Sequence, residues 1–194
     1  MKNVFLLFIA GLLSGVINAL LFTTNPQAND FFSILVLPGL VYGLVTGAFF
    51  IYVLPVARII FRIILWSIAS ILSYTVAYFS VPTIFIHLIV PRDISFALAG
   101  FVGALILCVA FSVLFQRMDW MQYFVVIATG AVVAYVVMNH DWNADAELLS
   151  SRGIFLPFLP TLYIAWQTAV TTVLGLSFLL RNNRSDERLA VEVV

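Results

Sequence analysis

The sequence is poor in charge, since only 9% of its 194 residues are Asp, Glu, Lys or Arg, whereas 63% are hydrophobic. An ordinary soluble domain carries about 25% charged residues, and a core of this size could not hide so much apolar surface from water. The formal net charge is zero, so no basic field attracts nucleic acid. These absences exclude a nucleic-acid-binding protein and predict a lipid bilayer as the surrounding medium.

Cysteine and catalytic motifs are equally scarce. Cys108 is the only cysteine, so it cannot form an intramolecular disulfide or build a zinc site, and we interpret it as a small packing residue. The sequence contains no GxSxG, P-loop, GxGxxG or CxxC motif, and its long apolar runs hold no acidic residue and no lysine. We therefore expect no bound cofactor and no metal, and we favour a protein that is not an enzyme.

Six apolar runs are long enough to cross a membrane. A helix rises about 1.5 Å per residue, so about 20 apolar residues span a hydrocarbon core of about 30 Å. The runs are continuous rather than alternating, which favours helices over a β-barrel. The sequence predicts an all-α, polytopic transmembrane bundle of one domain over 1–180 and a short cytoplasmic tail over 181–194. The predicted spans are about 4–22, 31–54, 62–80, 94–115, 120–138 and 158–180.

Two segments allow alternatives. The first run follows Lys2 and could be a cleaved signal peptide, which would leave five spans. However, it is longer than the ~7–15 residues usual for such a segment, and it lacks a clear small-residue cleavage site. The segment 84–90, between Pro82 and Pro91, is too short to cross a membrane. It could extend a kinked third helix, lie in the interface or re-enter the membrane.

The basic residues predict the orientation, because cytoplasmic loops hold an excess of Lys and Arg. With both termini in the cytoplasm, six spans place only Arg92 and Arg152 outside. The basic residues placed inside are Lys2, Arg58, Arg62, Arg117, Arg181, Arg184 and Arg188. We therefore predict a multi-pass integral membrane protein of the cell's inner (cytoplasmic) membrane, with both termini in the cytoplasm.

Small residues recur at four-residue spacing on three predicted spans. Such stripes let helices approach closely in lipid, where hydrophobicity alone cannot draw them together. The stripes are Gly11/Gly15/Ala19, Gly39/Gly43/Gly47 and Ala99/Gly103. We interpret them chiefly as packing surfaces within the chain. The alternative is that the Gly11/Gly15 and Gly39/Gly43/Gly47 faces bind partner membrane subunits.

Asn18 is the only strongly polar side chain in the first predicted span, and Gln167 lies near the middle of the last. Polar groups within a membrane are costly, so each either hydrogen-bonds across helices or lines a solute site. The serine and threonine hydroxyl groups of the spans can instead bond to local backbone carbonyls. We therefore assign the hydroxyl groups no function.

A second polar group collects on the predicted outer side. Its members are His87, Arg92, Asp93, His140, Asp141 and Trp142. A histidine beside a carboxylate can act as a general base or proton relay, and two histidines with aspartates can ligate a metal. The simpler interpretation is a set of interfacial residues with a local Arg92–Asp93 ion pair.

Three functions fit these features. The first is a small-solute transporter, or the membrane-embedded substrate-binding component of one, with an outward-facing polar site. The stretch PGLVYGLVTG and the small-residue face of the first span, in a six-helix format, loosely resemble vitamin-binding components of multisubunit importers. The residues predicted to bind the substrate are Asn18, His87, Arg92, Asp93, His140, Asp141 and Trp142. The alternatives are a non-catalytic assembly subunit of a larger membrane complex and a membrane-bound lipid-modifying enzyme.

Overall fold

The computed structural model describes residues 2–24, 36–53, 58–88, 91–139 and 161–176. All regular secondary structure in these ranges is helical. The helices are α1 (Lys2–Thr24), α2 (Leu37–Val53), α3 (Ile59–Leu88), α4 (Arg92–Leu114), α5 (Trp120–Asn139) and α6 (161–176). For the described part of the chain, the prediction of an all-α protein is confirmed.

Four of these helices, α1, α3, α4 and α5, are long and apolar enough to cross a membrane. The outward faces carry large apolar side chains, such as Ile60, Val113 and Phe124. Water would not stabilise such faces, whereas lipid does. The helices therefore indicate a membrane-embedded protein, as the composition predicts. Helix α2 is also apolar but shorter, with 17 residues.

Helix α3 is longer than its predicted span. It continues from Ser80 through Pro82 to Leu88, which gives it 30 residues and a length of about 45 Å. Of the three alternatives for the segment 84–90, the structure shows an extension of the third helix, described up to Leu88. Helix α4 begins shortly afterwards at Arg92, so the tips of α3 and α4 lie together.

Helices α2 and α3 pack antiparallel along the Gly39/Gly43/Gly47 face. A Cβ atom placed on Gly39 would lie 2.5 Å from the Ile71 Cα, and one on Gly43 would meet the backbone and side chain of Ser67. Only glycine leaves room for this approach. The glycine stripe therefore serves contact within the chain.

Helices α1 and α6 pack antiparallel in the same way. A Cβ atom on Gly15 would lie 2.6 Å from the Ile164 Cα, and one on Gly11 would lie 2.7 Å from the Gln167 carbonyl oxygen. Both glycine faces that could bind partner subunits are thus covered by helices of the same chain. Binding of partner subunits stays a prediction.

An aromatic cluster is buried where α2 and α4 end and α3 begins. Phe50 lies 5.4 Å from Trp66 and 5.0 Å from Phe111 between ring centroids, and Phe115 completes the cluster. The Trp66 indole N–H is satisfied by the Thr46 hydroxyl at 2.9 Å. Such rings contribute a large buried apolar area and fix the contact of α2, α3 and α4. Cys108 is also buried, in accord with its interpretation as a packing residue.

The connection between α4 and α5 is short and held by side chains. Asp119 Oδ1 accepts the Gln122 backbone N–H, and Gln122 Oε1 accepts the Asp119 backbone N–H, both at 2.9 Å. This reciprocal arrangement is a capping box. Arg62 Nη1 donates to the Leu114 carbonyl, so α3 also caps the end of α4.

Replacing Asp119 with alanine is expected to lower the free energy of unfolding by about 0.5–2 kcal/mol, because the Gln122 amide loses its acceptor. Asp119→Asn keeps an acceptor oxygen at that position and should remain closer to the wild type. Thermal unfolding of both variants in detergent measures the difference. Equal losses in the two variants would show that the cap is not the source of the stability.

Candidate functional site

A chain of hydrogen-bonded side chains crosses the interior where α1, α2, α3 and α6 meet. Gln167 Oε1 accepts from Ser14 Oγ at 2.6 Å and from Asn18 Nδ2 at 3.3 Å, while Gln167 Nε2 donates to the Tyr74 hydroxyl at 2.6 Å. Asn18 Nδ2 also donates to the Pro38 carbonyl oxygen at 3.2 Å. We call Ser14, Asn18, Tyr74, Gln167 and the Pro38 carbonyl the core amide network. It joins the first and last described helices to α2 and α3.

The Pro38 carbonyl fixes the orientation of both amide groups, because the hydrogen bonds around it can be satisfied in only one way. A carbonyl oxygen only accepts, so Asn18 must turn its NH₂ group toward it. The Gln167 atom beside the same NH₂ group must then be its oxygen, which directs Nε2 to Tyr74. Asn18 Oδ1 is consequently the amide atom left over.

Two buried polar atoms at the network have no hydrogen-bond partner among the described residues. They are Asn18 Oδ1 and Trp166 Nε1, the first an acceptor and the second a donor. A buried polar group without a partner costs roughly 1–3 kcal/mol. A molecule that paired with either atom would therefore be stabilised there.

Aromatic rings pack around the Tyr74 end of the network. The Tyr74 ring lies 5.7 Å from that of Trp166, 6.2 Å from that of Tyr42 and 6.3 Å from that of Tyr163, between centroids. The Tyr42 hydroxyl is paired with Thr171 Oγ1 at 2.9 Å. The surroundings are therefore apolar faces with hydroxyl groups at their edges. The buried polar side chains of the described ranges are Ser, Thr, Asn and Gln, so none carries a charge.

The structure describes the side chain of one predicted substrate-binding residue, Asn18, which is 2% exposed. His87 is the last residue but one of α3, and Arg92 and Asp93 are the first residues of α4. The side chains of these three lie outside the described part. The whole of His140, Asp141 and Trp142 lies outside the described residues. That these six residues share a site with Asn18 stays a prediction.

The metal and proton-relay alternatives depend on the same undescribed side chains. Within the described ranges, no three His, Cys, Asp or Glu residues are grouped so that they could hold a metal ion. The described interior therefore offers uncharged hydrogen-bonding groups and aromatic faces to a bound molecule.

The interpretation of the hydroxyl groups is right for some residues and wrong for others. Those that bond to the carbonyl four residues earlier, as expected, include Thr46, Ser70, Thr129, Thr168 and Thr172. Ser14, Ser73 and Thr171 bond across helices instead, so for them the interpretation was wrong. The sequence feature that could have identified the hydroxyl groups bonding across helices is their spacing from Asn18 and Gln167. Ser14 lies one turn before Asn18, and Gln167 one turn before Thr171, which puts each pair on one helix face.

No protein-family model, curated protein or solved structure matches this chain. The resemblance of PGLVYGLVTG to vitamin-binding components therefore gains no support from a relative. The contacts of Asn18 and Gln167 are the features that bear on function.

Proposed function

We propose that this protein is a multi-pass membrane protein that binds a small solute at the core amide network, as a transporter or as the membrane-embedded binding component of one. The observation that carries the proposal is Asn18 Oδ1, an unpaired acceptor on a side chain 2% exposed. Polar groups inside membrane helices are costly and usually functional. A bound solute would offset the cost of leaving this atom without a partner.

The proposal includes six spans with both termini in the cytoplasm. The antiparallel contact of α1 with α6, through Gly11 and Gly15, supports this topology, because it puts the start of α1 and the end of α6 on one side. Arg58 precedes α3 and Arg117 follows α4, and both lie at that same end in an antiparallel bundle. Basic residues concentrate on the cytoplasmic side. Asn18, six residues before the end of α1, then lies toward the outer face.

The outer entrance of the site is assigned to the polar residues of the connecting segments. The end of α3, the start of α4 and the end of α5 lie on the outer side in this orientation. The residues assigned to the entrance are His87, Arg92, Asp93, His140, Asp141 and Trp142. Their donors and acceptors would exchange the hydration shell of an arriving solute for protein contacts before the solute reaches Asn18.

An assembly subunit is the less well supported function. The glycine faces were the reason for considering this function. They pack against α3 and α6 of the same chain, so their close packing requires no partner subunit. The lipid-modifying enzyme depends on His87 and His140, and no described contact favours it. The unpaired amide oxygen of Asn18, by contrast, favours a bound molecule with a hydrogen-bond donor over a subunit or a catalyst.

Native mass spectrometry of the gently extracted protein tests the binding function. We expect the wild-type protein to carry a small molecule whose occupancy falls at least about tenfold in Asn18→Leu, corresponding to about 1.4 kcal/mol of binding free energy. Leucine is similar in size to asparagine but offers no polar atom.

The matched control for this experiment is Thr129→Val. The Thr129 hydroxyl bonds only to the Val125 carbonyl of its own helix, so this variant should keep the molecule. Equal occupancy in wild type and Asn18→Leu would contradict the proposed site, and a wild-type protein that carries and takes up no small molecule would contradict the function.

A further inference from the structure

We infer that the solute bound at Asn18 is an uncharged molecule in which a hydrogen-bond donor stands next to an acceptor, as in a carboxamide. The inference rests on the proposed function and narrows it to one chemical class. It depends on the polarity of the core amide network and on the charge of the residues buried around it.

The unpaired atom of Asn18 requires a donor from the ligand. Both amide hydrogens of Asn18 are in use, one on the Pro38 carbonyl and one on Gln167 Oε1. Oδ1 has lone pairs but no proton, so only an N–H or O–H group can pair with it. A carboxylate or phosphate oxygen would bring like partial charges together and would be repelled.

At the Tyr74 end of the network, hydrogen-bond donors are available to an acceptor on the same ligand. The one hydrogen bond described for the Tyr74 hydroxyl is accepted from Gln167 Nε2, which leaves the proton of the hydroxyl available. Gln167 Nε2 carries a second hydrogen as well. Because Gln167 touches both Asn18 and Tyr74, the free acceptor and the free donors lie on either side of one amide group. A carboxamide presents the complementary pair.

The buried surroundings favour a neutral ligand over an ion. The described interior holds no charged side chain, and burial of an unpaired ion is far more costly than burial of a hydrogen-bonded amide. Among the described arginines, Arg58 and Arg117 are exposed and Arg62 is half-buried, all at the opposite end of the bundle. An ammonium ion could donate to Asn18 Oδ1 and lie against the faces of Tyr74 and Trp166. It offers no acceptor to the Tyr74 hydroxyl, and burial of its charge without an anionic partner is costly.

Three matched probes distinguish these ligands: benzamide, benzoate and benzylammonium. Binding of each to the full-length protein in detergent is measured by saturation-transfer NMR, and the molecule that co-purifies is identified by accurate mass. We expect benzamide to bind best and to lose about tenfold in affinity in both Asn18→Leu and Tyr74→Phe. Tyr74→Phe removes only one hydroxyl group, so the test survives if Asn18→Leu fails to fold.

The possible results separate the inference from the function on which it rests. A co-purified molecule that is neutral and bears a donor supports both. Preferential binding of benzoate or benzylammonium, or a charged co-purified molecule lost in Asn18→Leu, overturns the inference and leaves the solute-binding function standing. A co-purified anion that is lost in Arg92→Gln but kept in Tyr74→Phe would likewise overturn the inference and leave the solute-binding function standing. Absence of any co-purified molecule together with no binding of any probe overturns both.

Discussion

Gly43→Leu is expected to lose the folded bundle at temperatures where the wild-type protein is stable in detergent. A Cβ atom at Gly43 already overlaps Ser67, whose Cβ and Oγ both lie 2.9 Å from it. The clash includes the α3 backbone, so a change of rotamer cannot relieve it and α3 must move away from α2. Inserting single methylene groups into a packed core costs about 1–3 kcal/mol. A whole isobutyl group against backbone should exceed that range.

The alanine variants of two glycines provide the sharper comparison. At Gly103 the nearest atoms to an added Cβ all belong to side chains, at 3.3 Å for Ser73 Oγ, 3.4 Å for Trp166 Cζ2 and 3.5 Å for Ala77 Cβ. Gly103→Ala should therefore cost much less than Gly43→Ala, helped by the better helix propensity of alanine. Gly43→Ala should lower the melting temperature clearly. If the two variants melted together, the close approach of α2 and α3 at Gly43 would be wrong.

The second large effect is expected for Gln167→Leu. This change removes the partner of Ser14, Asn18 and Tyr74 at once. Three hydrogen bonds of about 4–6 kcal/mol each, as in an apolar medium, would sum to about the whole stability of a protein, which is too much for one side chain. Interhelical bonds in membranes instead average about 0.6 kcal/mol, so three of them give a loss of about 2 kcal/mol. Solute binding should fall with it, because the network no longer positions Asn18.

A double-mutant cycle checks this assignment. Asn18→Leu and Gln167→Leu together should cost less than the sum of the single variants, since the second change removes a bond already lost. Thr168→Val, combined with Asn18→Leu, is the matched control. The Thr168 hydroxyl bonds only to the Ile164 carbonyl on its own helix, so the losses of stability in this pair should add. Strict additivity of the first pair would mean that Asn18 and Gln167 do not share a hydrogen bond in the protein.

The sequence predicted the helices best where composition changes abruptly. The run 94–115 is bounded by Pro91 and by the polar stretch at 116–119, and it became α4 (Arg92–Leu114). The predicted span 120–138 became α5 (Trp120–Asn139). The end of α3 was harder, because Pro82 suggests a break. Membrane helices tolerate proline when neighbouring groups satisfy the freed carbonyl, and α3 continues to Leu88.

The site was predictable in its parts but not in its connections. Hydropathy identifies Asn18 and Gln167 as polar residues in apolar runs, and helical spacing adds Ser14 and Thr171 to their faces. It cannot show that Asn18 faces Gln167, 149 positions away, or that Pro38 orients both amides. Those relations follow from the antiparallel contact of α1 with α6, which depends on glycine packing rather than on any local pattern.

The meeting of α1 with α6 also has a consequence for synthesis in the cell. Ser14 leaves the ribosome 153 positions before Gln167, so the first helix is synthesised long before its hydrogen-bond partner on the last helix. The polar face of α1 can be satisfied by α6 only when the chain is nearly complete. A product that stops before residue 161 would lack Gln167 and would leave Ser14 of α1 without its hydrogen-bond partner.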